Sequence, residues 1–209
     1  GARVLTHAPV EGMTVDDGAI STVEVGGEVN ETIQPEYVIN ATGAWAGELA
    51  AMAGVDVEMQ PTKGVMVGVD YEGLGPVLNR CREPDDGDIV IPHERQVVLG
   101  TTSVAVDDPD EYDEEQWEIE KMFEECAKMM PTLDGRETAR TYWGVRPLYA
   151  PDEAGRGSKD SGKGDERGIS RGFFLLDHEA DGVDNFASVV GGKLTTYRMM
   201  AEATADHVA

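Results

Sequence analysis

The run Gly191-Gly192-Lys193-Leu194-Thr195-Thr196-Tyr197-Arg198 carries the chain's most informative spacing. The apolar stretch Phe186–Val190 ends in two glycines, and a lysine with two threonines opens a helical pattern directly afterwards. Free backbone N–H groups at a helix start, with no Cβ in the way and an ammonium beside them, suit an anionic ligand. A glycine-rich turn feeding an ordinary helix accounts for the same spacing equally well. Gly144-Val145-Arg146-Pro147-Leu148 sets an arginine against a rigid proline. A guanidinium fixed in that way matches the fork geometry of phosphate or carboxylate. A surface ion pair is the competing reading, and Arg171, after Ile169-Ser170, carries the same two.

Other patterns fall short of a site. GxGxxG is absent, since Gly155-Arg156-Gly157 begins it but Asp160 stands where the third glycine belongs. Residues 157–164 approach the phosphate-loop pattern, yet end in glycine where a magnesium-binding hydroxyl is needed. Asp177-His178-Glu179-Ala180-Asp181-Gly182 imitates the start of a Ca²⁺ loop, but its twelfth position is Ser188, so a plain turn is expected. His7, His93, His178 and His207 show no metal spacing, and no Ser-His-Asp arrangement is legible. Cys81 and Cys126 form no CxxC and read as reduced thiols.

The elements that must position these residues are mostly strands. Residues 3–39 read as a β-meander, with strands at 3–7 and 20–25 and turns at Asp16-Asp17-Gly18 and Gly26-Gly27. Tyr37–Ala41 is a continuous apolar run, as in a strand buried on both faces, and a helix from Ala44 to Gly54 follows. Further strands are expected at 64–69, 88–92, 96–100, 139–143, 173–177 and 186–190, with His93-Glu94-Arg95 as a hairpin turn. A helix over 114–130 places Ile119, Met122, Cys126 and Met129 on one face. A last helix from Lys193 turns Leu194, Tyr197, Ala201 and Val208 inward. Residues 155–168 are glycine and small or charged side chains with nothing apolar among them, which reads as a flexible loop.

Charge narrows the function. The 209 residues hold 41 acidic and 17 basic side chains, a net charge of −24. Such a surface repels nucleic acid and anionic lipid. The charge lies far beyond the magnitude of about 2–8 that solubility requires, and molar salt screens it to a Debye length of about 3 Å. A protein adapted to a salt-rich cytoplasm is expected. Gly1-Ala2-Arg3-Val4 lacks a signal peptide's apolar stretch, so no export signal is expected, and no run of about 18 apolar residues could span a bilayer.

Several segments, taken in order, resemble one family. They are Val38-Ile39-Asn40-Ala41-Thr42-Gly43-Ala44-Trp45, Lys63-Gly64, Asn79-Arg80-Cys81-Arg82, Gly100-Thr101-Thr102-Ser103, Gly144–Leu148, Ser170-Arg171-Gly172, Leu175-Leu176-Asp177-His178 and Gly191–Arg198. The set resembles the FAD-dependent glycerol-3-phosphate dehydrogenases, and Asn-Arg-Cys-Arg with Leu-Leu-Asp-His is similar to the catalytic chain of the anaerobic type.

The resemblance implies an α+β and α/β flavoprotein. Residues 1–54 and 186–209 would form part of a Rossmann-like FAD-binding domain, and 55–185 a substrate-binding cap on a mixed, largely antiparallel sheet. The reaction implied is oxidation of sn-glycerol 3-phosphate to dihydroxyacetone phosphate, with hydride transfer to FAD and electrons passed to quinone through partner subunits. Those subunits would hold a cytoplasmic protein at the inner face of the membrane. Thr42, Gly43, Ala44 and Trp45 would lie along the flavin. Gly191, Gly192, Lys193, Leu194 and Thr195 would face its pyrimidine edge, where Lys193 favours the anionic reduced ring. Arg146 and Arg171, with Thr101 nearby, would hold the substrate phosphate, so Arg146 and Lys193 carry the catalytic expectation. Metal has no part. Where aerobic relatives place a histidine after Lys-Gly, this chain has Met66, which leaves the general base unassigned. Without the GxGxxG unit, an interior fragment that is inactive by itself and holds FAD loosely is expected. An amine- or hydroxy-acid-oxidising flavoprotein such as glycine or D-amino-acid oxidase, with Arg146 on a carboxylate, is one alternative; a non-catalytic assembly module is another.

Overall fold

The computed structural model describes residues 2–149 and 172–209. Arg171, the loop 155–168 and the imperfect phosphate-loop pattern lie outside the described residues. The described chain forms two compact units, one of residues 2–59, 147–149 and 172–209, the other of residues 60–146.

The described part of the first unit holds two small three-stranded sheets and two α-helices. β1 (Val10–Asp16), β2 (Ala19–Val25) and β3 (Glu31–Ile33) form an antiparallel meander. Asp17 and Gly18, at φ 50° and 82°, make its first turn. The expected strand at 3–7 is absent, and β1 begins instead at Val10. Gly27 has a positive φ, and the carbonyl of His7 accepts Glu28 N–H, so the segment before β1 braces a turn rather than a sheet.

β4 (Val38–Asn40) runs parallel to β12 (Phe186–Gly191), which pairs antiparallel with β11 (Phe173–Asp177). This pairing draws β11 into the first unit, whereas the sequence reading groups residues 173–177 with the cap. α1 (Ala46–Met52) lies against this unit's core, with Ala46 and Ala50 wholly buried one helical turn apart. Alanine permits the close approach, and a Cβ on Gly47 would come 2.7 Å from Val57 O. The helix stops where expected. Gly54, at φ 74°, bonds Ala51 O at 3.0 Å while Val55 bonds Ala50 O at 3.1 Å, a Schellman termination.

The second unit is built on one antiparallel sheet in the order β10-β5-β8-β7-β6, with β9 also on β5. Its strands are β5 (Thr62–Asp70), β6 (Leu78–Asn79), β7 (Ile89–His93), β8 (Gln96–Gly100), β9 (Val104–Ala105) and β10 (Arg140–Arg146). Val65, Val67 and Val69 alternate onto one face of β5 and are buried with Val90, Val97 and Leu99. α2 (Gln116–Ala127) covers that face through Met122 and Cys126. The third buried position on this helix stripe is Glu118, not the expected Ile119. Burial pushes the Cys126 thiol up to about 12, so it packs as an inert apolar group.

α3 (Tyr197–Val208) follows a one-turn 3-10 helix at Leu194–Thr196. Its expected inner face is a correction. Leu194 is 88% and Tyr197 68% exposed, and Ala201 and Val208 are exposed too. The half-buried positions are Met200, Ala203 and Thr204, so the face turned inward is not the one the spacing selects, since periodicity groups residues on a face without fixing its direction.

Candidate active site

In the second unit, β5 and β10 pair so that Gly64 faces Gly144, Met66 faces Tyr142 and Thr62 faces Arg146. Strand alternation puts these residues on the face opposite α2. On that face lies a cavity of about 390 Å³, lined by Gly64, Met66, Thr101, Tyr142, Gly144 and Arg146 among others, with open space where a Cβ on Gly144 would stand. That volume falls in the range of small-ligand sites.

Arg146 is fixed in this cavity. Its Nη2 donates to Thr101 Oγ1 and to Thr102 O, both at 3.0 Å, and Nη1 donates to Lys63 O at 3.4 Å. The guanidinium is half-buried, and a hydroxyl and two carbonyls of the sheet set its orientation, so it is a positioned group of the cavity wall rather than a charge on open surface. Thr101 and Arg146, linked in the sequence reading only by resemblance, are in direct contact.

Lys63 lies behind the sheet. It is 3% exposed, and its Nζ meets Glu118 at 2.8 Å, Glu115 at 3.2 Å and Asp113 O at 2.5 Å, with Trp143 beneath. Burial alone would lower its pKa, but the hydrogen bonds and charges of Glu118 and Glu115 outweigh it and raise the value. The Asn79-Arg80-Cys81-Arg82 run is likewise structural. Arg80 bonds Glu125 at 2.5 Å and Arg82 bonds Asp88 at 2.8 Å, tying the end of β6 to α2, and both cysteines are free thiols.

In the first unit, β4 and β12 are parallel neighbours, so their carboxyl ends open at the same edge of the sheet. The segments leaving them are Thr42-Gly43-Ala44-Trp45 and Gly191-Gly192-Lys193-Leu194-Thr195, the two runs singled out for the cofactor. Ligands of open α/β sheets bind outside carboxyl ends of this kind. Gly43 has φ 65° and open space where a Cβ would stand. Gly191 has φ 71°, and a Cβ there would sit 2.6 Å from Gly172 O. Thr196 N–H to Lys193 O, at 2.9 Å, is the first bond of the helical turn, so the N–H groups of Leu194 and Thr195 precede the ladder and face outward. Trp45 and Leu194 are exposed beside them.

A buried polar chain holds this edge. Thr42 Oγ1 donates to Asn40 Oδ1 at 2.7 Å, and Asn40 Nδ2 donates to Ala46 O at 2.8 Å and Ser188 Oγ at 3.0 Å. These bonds fix the amide orientation, which leaves the Ser188 hydroxyl to donate to His178 Nε2 at 2.9 Å while Nδ1–H meets Asp181 at 2.8 Å. Ser188, His178 and Asp181 thus stand at triad spacings that the sequence did not reveal. Ser188 is wholly buried and His178 2% exposed, so the arrangement locks the turn after β11 and presents no nucleophile.

This chain belongs to the FAD-dependent oxidoreductases: the family described as FAD dependent oxidoreductase matches residues 1–206. Among its relatives, the A1 chain of the anaerobic glycerol-3-phosphate dehydrogenase of Haloferax volcanii is 46% identical over 222 residues, covering all of this chain and 36% of the relative. The corresponding chain of the anaerobic Escherichia coli K12 enzyme is 35% identical over 215 residues, covering all of this chain and 38% of the relative. The FAD complex of Bacillus halodurans glycerol-3-phosphate dehydrogenase superposes with a TM-score of 0.73 at 25% identity, covering 98% of this chain and 38% of that one. The chain therefore spans little more than a third of the length of these relatives. FAD is the cofactor of the family, and the positive-φ glycines, outward N–H groups and Lys193 at the carboxyl ends of β4 and β12 fit it. Among the described residues, no helix is long and apolar enough to cross a membrane.

Proposed function

We propose that this chain carries flavin-holding and substrate-holding parts of an anaerobic-type glycerol-3-phosphate dehydrogenase, which oxidises sn-glycerol 3-phosphate to dihydroxyacetone phosphate. One observation supports the reading above others: Arg146 is held by Thr101 and Thr102 in a small cavity, inside a chain of net charge −24. A dianionic phosphate needs concentrated positive charge in such a body, and an arginine oriented on a cavity wall supplies it.

When bound, FAD would supply the acceptor for the hydride of the substrate's carbinol carbon. The residues of the chain bind and orient. Arg146 forks onto the phosphate, Thr101 lends its hydroxyl, and Arg171 adds a second guanidinium. Thr42, Gly43, Ala44 and Trp45 flank the flavin. Gly191 and Gly192 let the backbone approach it, and Lys193 with the N–H groups of Leu194 and Thr195 favours negative charge on its pyrimidine edge. Met66 has no proton-accepting group, so at its place in the cavity it shapes the wall and leaves the hydroxyl proton to another base. Electrons then pass to quinone through partner subunits, which hold the enzyme at the inner face of the membrane.

Turnover by the FAD-loaded holoenzyme with an artificial electron acceptor tests this reading. Glycerol 3-phosphate should be oxidised and glycine left untouched. Oxidation of glycine in its place would assign Arg146 to a carboxylate and the protein to the amino-acid oxidases. No turnover of either, with FAD bound, would favour a non-catalytic module.

A further inference from the structure

The β5–β8 ladder ends at Met66↔Gly100, and the β5–β9 ladder begins at Lys63↔Val104. Between these pairs Gly64 and Val65 oppose Thr101, Thr102 and Ser103, so the second strand carries one extra residue. This is a β-bulge, a device that re-aims groups away from the ladder. The bulge leaves Val65 N–H without a strand carbonyl. The hydroxyl of Thr102 takes that place, accepting a hydrogen bond from Val65 N–H at 2.9 Å and donating one to Glu118 Oε1 at 2.8 Å. On the opposite face, Thr102 O and Thr101 Oγ1 accept Arg146 Nη2. Thr102 and Glu118 are both wholly buried.

Glu118 occupies a core position on α2 where an apolar residue would pack, and its other oxygen meets Lys63 at 2.8 Å. Replacing a buried ion pair with apolar groups is often neutral or stabilising, so stability alone does not explain a glutamate there. Its geometry does. A carboxylate anchored by Lys63 is a fixed acceptor for the Thr102 hydroxyl, and that hydroxyl sets where the bulge presents its carbonyl.

We propose that Glu118 is a positioning residue: acting through the Thr102 hydroxyl, it holds the 101–103 bulge that fixes Arg146 against the substrate phosphate. This rests on the reading of Arg146 given above. The line of force runs from α2 through the sheet to the cavity, and neither Glu118 nor Thr102 side chain touches substrate.

The test is steady-state kinetics of the FAD-loaded holoenzyme with glycerol 3-phosphate, with inorganic phosphate as competitive inhibitor and melting temperature recorded for each variant. Thr102→Val should raise KM and the phosphate inhibition constant together by about tenfold, the size expected from one buried hydrogen bond. kcat should change far less. Thr102→Ser, which keeps the hydroxyl, should restore both constants, and Glu118→Gln should raise both, with its milder change of shape guarding against a Thr102→Val variant that fails to fold. Variants that melt lower yet keep wild-type KM and phosphate inhibition would reduce Glu118 to a packing role and overturn the proposal. Arg146→Lys separates the two levels: if it leaves KM unchanged, the phosphate reading of Arg146 fails and this inference with it. If it raises KM while Thr102→Val and Glu118→Gln do not, only the positioning role falls.

Discussion

The guanidinium of Arg146 occupies the space that a side chain at Gly64 would fill. A Cβ built on Gly64 falls 2.6 Å from Arg146 Nη2 and 2.5 Å from Thr102 O. The Lys63-Gly64 pair therefore divides its work between the faces of one strand, the lysine anchoring α2 behind and the glycine making room for the arginine in front. Gly64→Ala should displace Arg146, raise KM for glycerol 3-phosphate about tenfold or more, and cost about 1–3 kcal/mol of stability from overpacking. Kinetics and urea unfolding of the variant check both effects, and an unchanged KM would show that Arg146 does not depend on this clearance.

Gly191 sits where the strand β12 turns toward Lys193. Its φ of 71° and the 2.6 Å approach of Gly172 O leave no room for a side chain. Gly191→Ala should move the outward N–H groups of Leu194 and Thr195, and the holoenzyme should lose flavin on gel filtration under conditions where wild type retains it. Full retention would remove this turn from the cofactor site.

Glu125 supplies a pH dependence. The Lys128 ammonium first, and then Arg80, hold its carboxyl below the ordinary 4.5. A folded-state value below the unfolded one adds stability that is present above about pH 4.5 and is lost as pH falls through the folded value. Glu125→Gln should accordingly unfold at lower urea than wild type at neutral pH, with the gap closing below pH 4.5. A gap that stays constant from pH 7 to pH 3 would mean that the ion pairs with Lys128 and Arg80 contribute nothing.

Net charge predicts a response to salt. Exposed carboxylates repel one another in dilute buffer, and molar KCl screens that repulsion. The melting temperature should climb steeply from dilute to molar KCl. A flat profile would contradict salt adaptation.

Much of this architecture was legible because its signals are local. Alternation in Val65, Val67 and Val69, the turn at Glu94-Arg95 and the glycine stop at Gly54 each report their own backbone. Arg146 was legible as a fixed cation because Pro147 stiffens the chain beside it, whereas its partners Thr101 and Thr102 lie 45 and 44 residues away and are joined to it only by the sheet. Glu118 was obscured by its type, since a glutamate reads as a solvated face, and the partners that make its burial tolerable, Lys63 and Thr102, lie far off in sequence. Ser188, His178 and Asp181 were missed because Ser188 comes from β12 and the other two from the turn after β11, and strand pairing brings them together. The outward face of α3 was hidden because periodicity fixes which residues share a face but not which way that face points.

Anaerobic bleaching of the flavin band tests the central claim most directly, because it reads hydride transfer without partner subunits or quinone. Adding glycerol 3-phosphate to the FAD-loaded wild-type holoenzyme should bleach the band, glycerol at the same concentration should leave it, and Arg146→Ala should bleach only at far higher substrate concentration. Equal bleaching of wild type and Arg146→Ala across the titration would contradict the assignment of this arginine to the substrate phosphate.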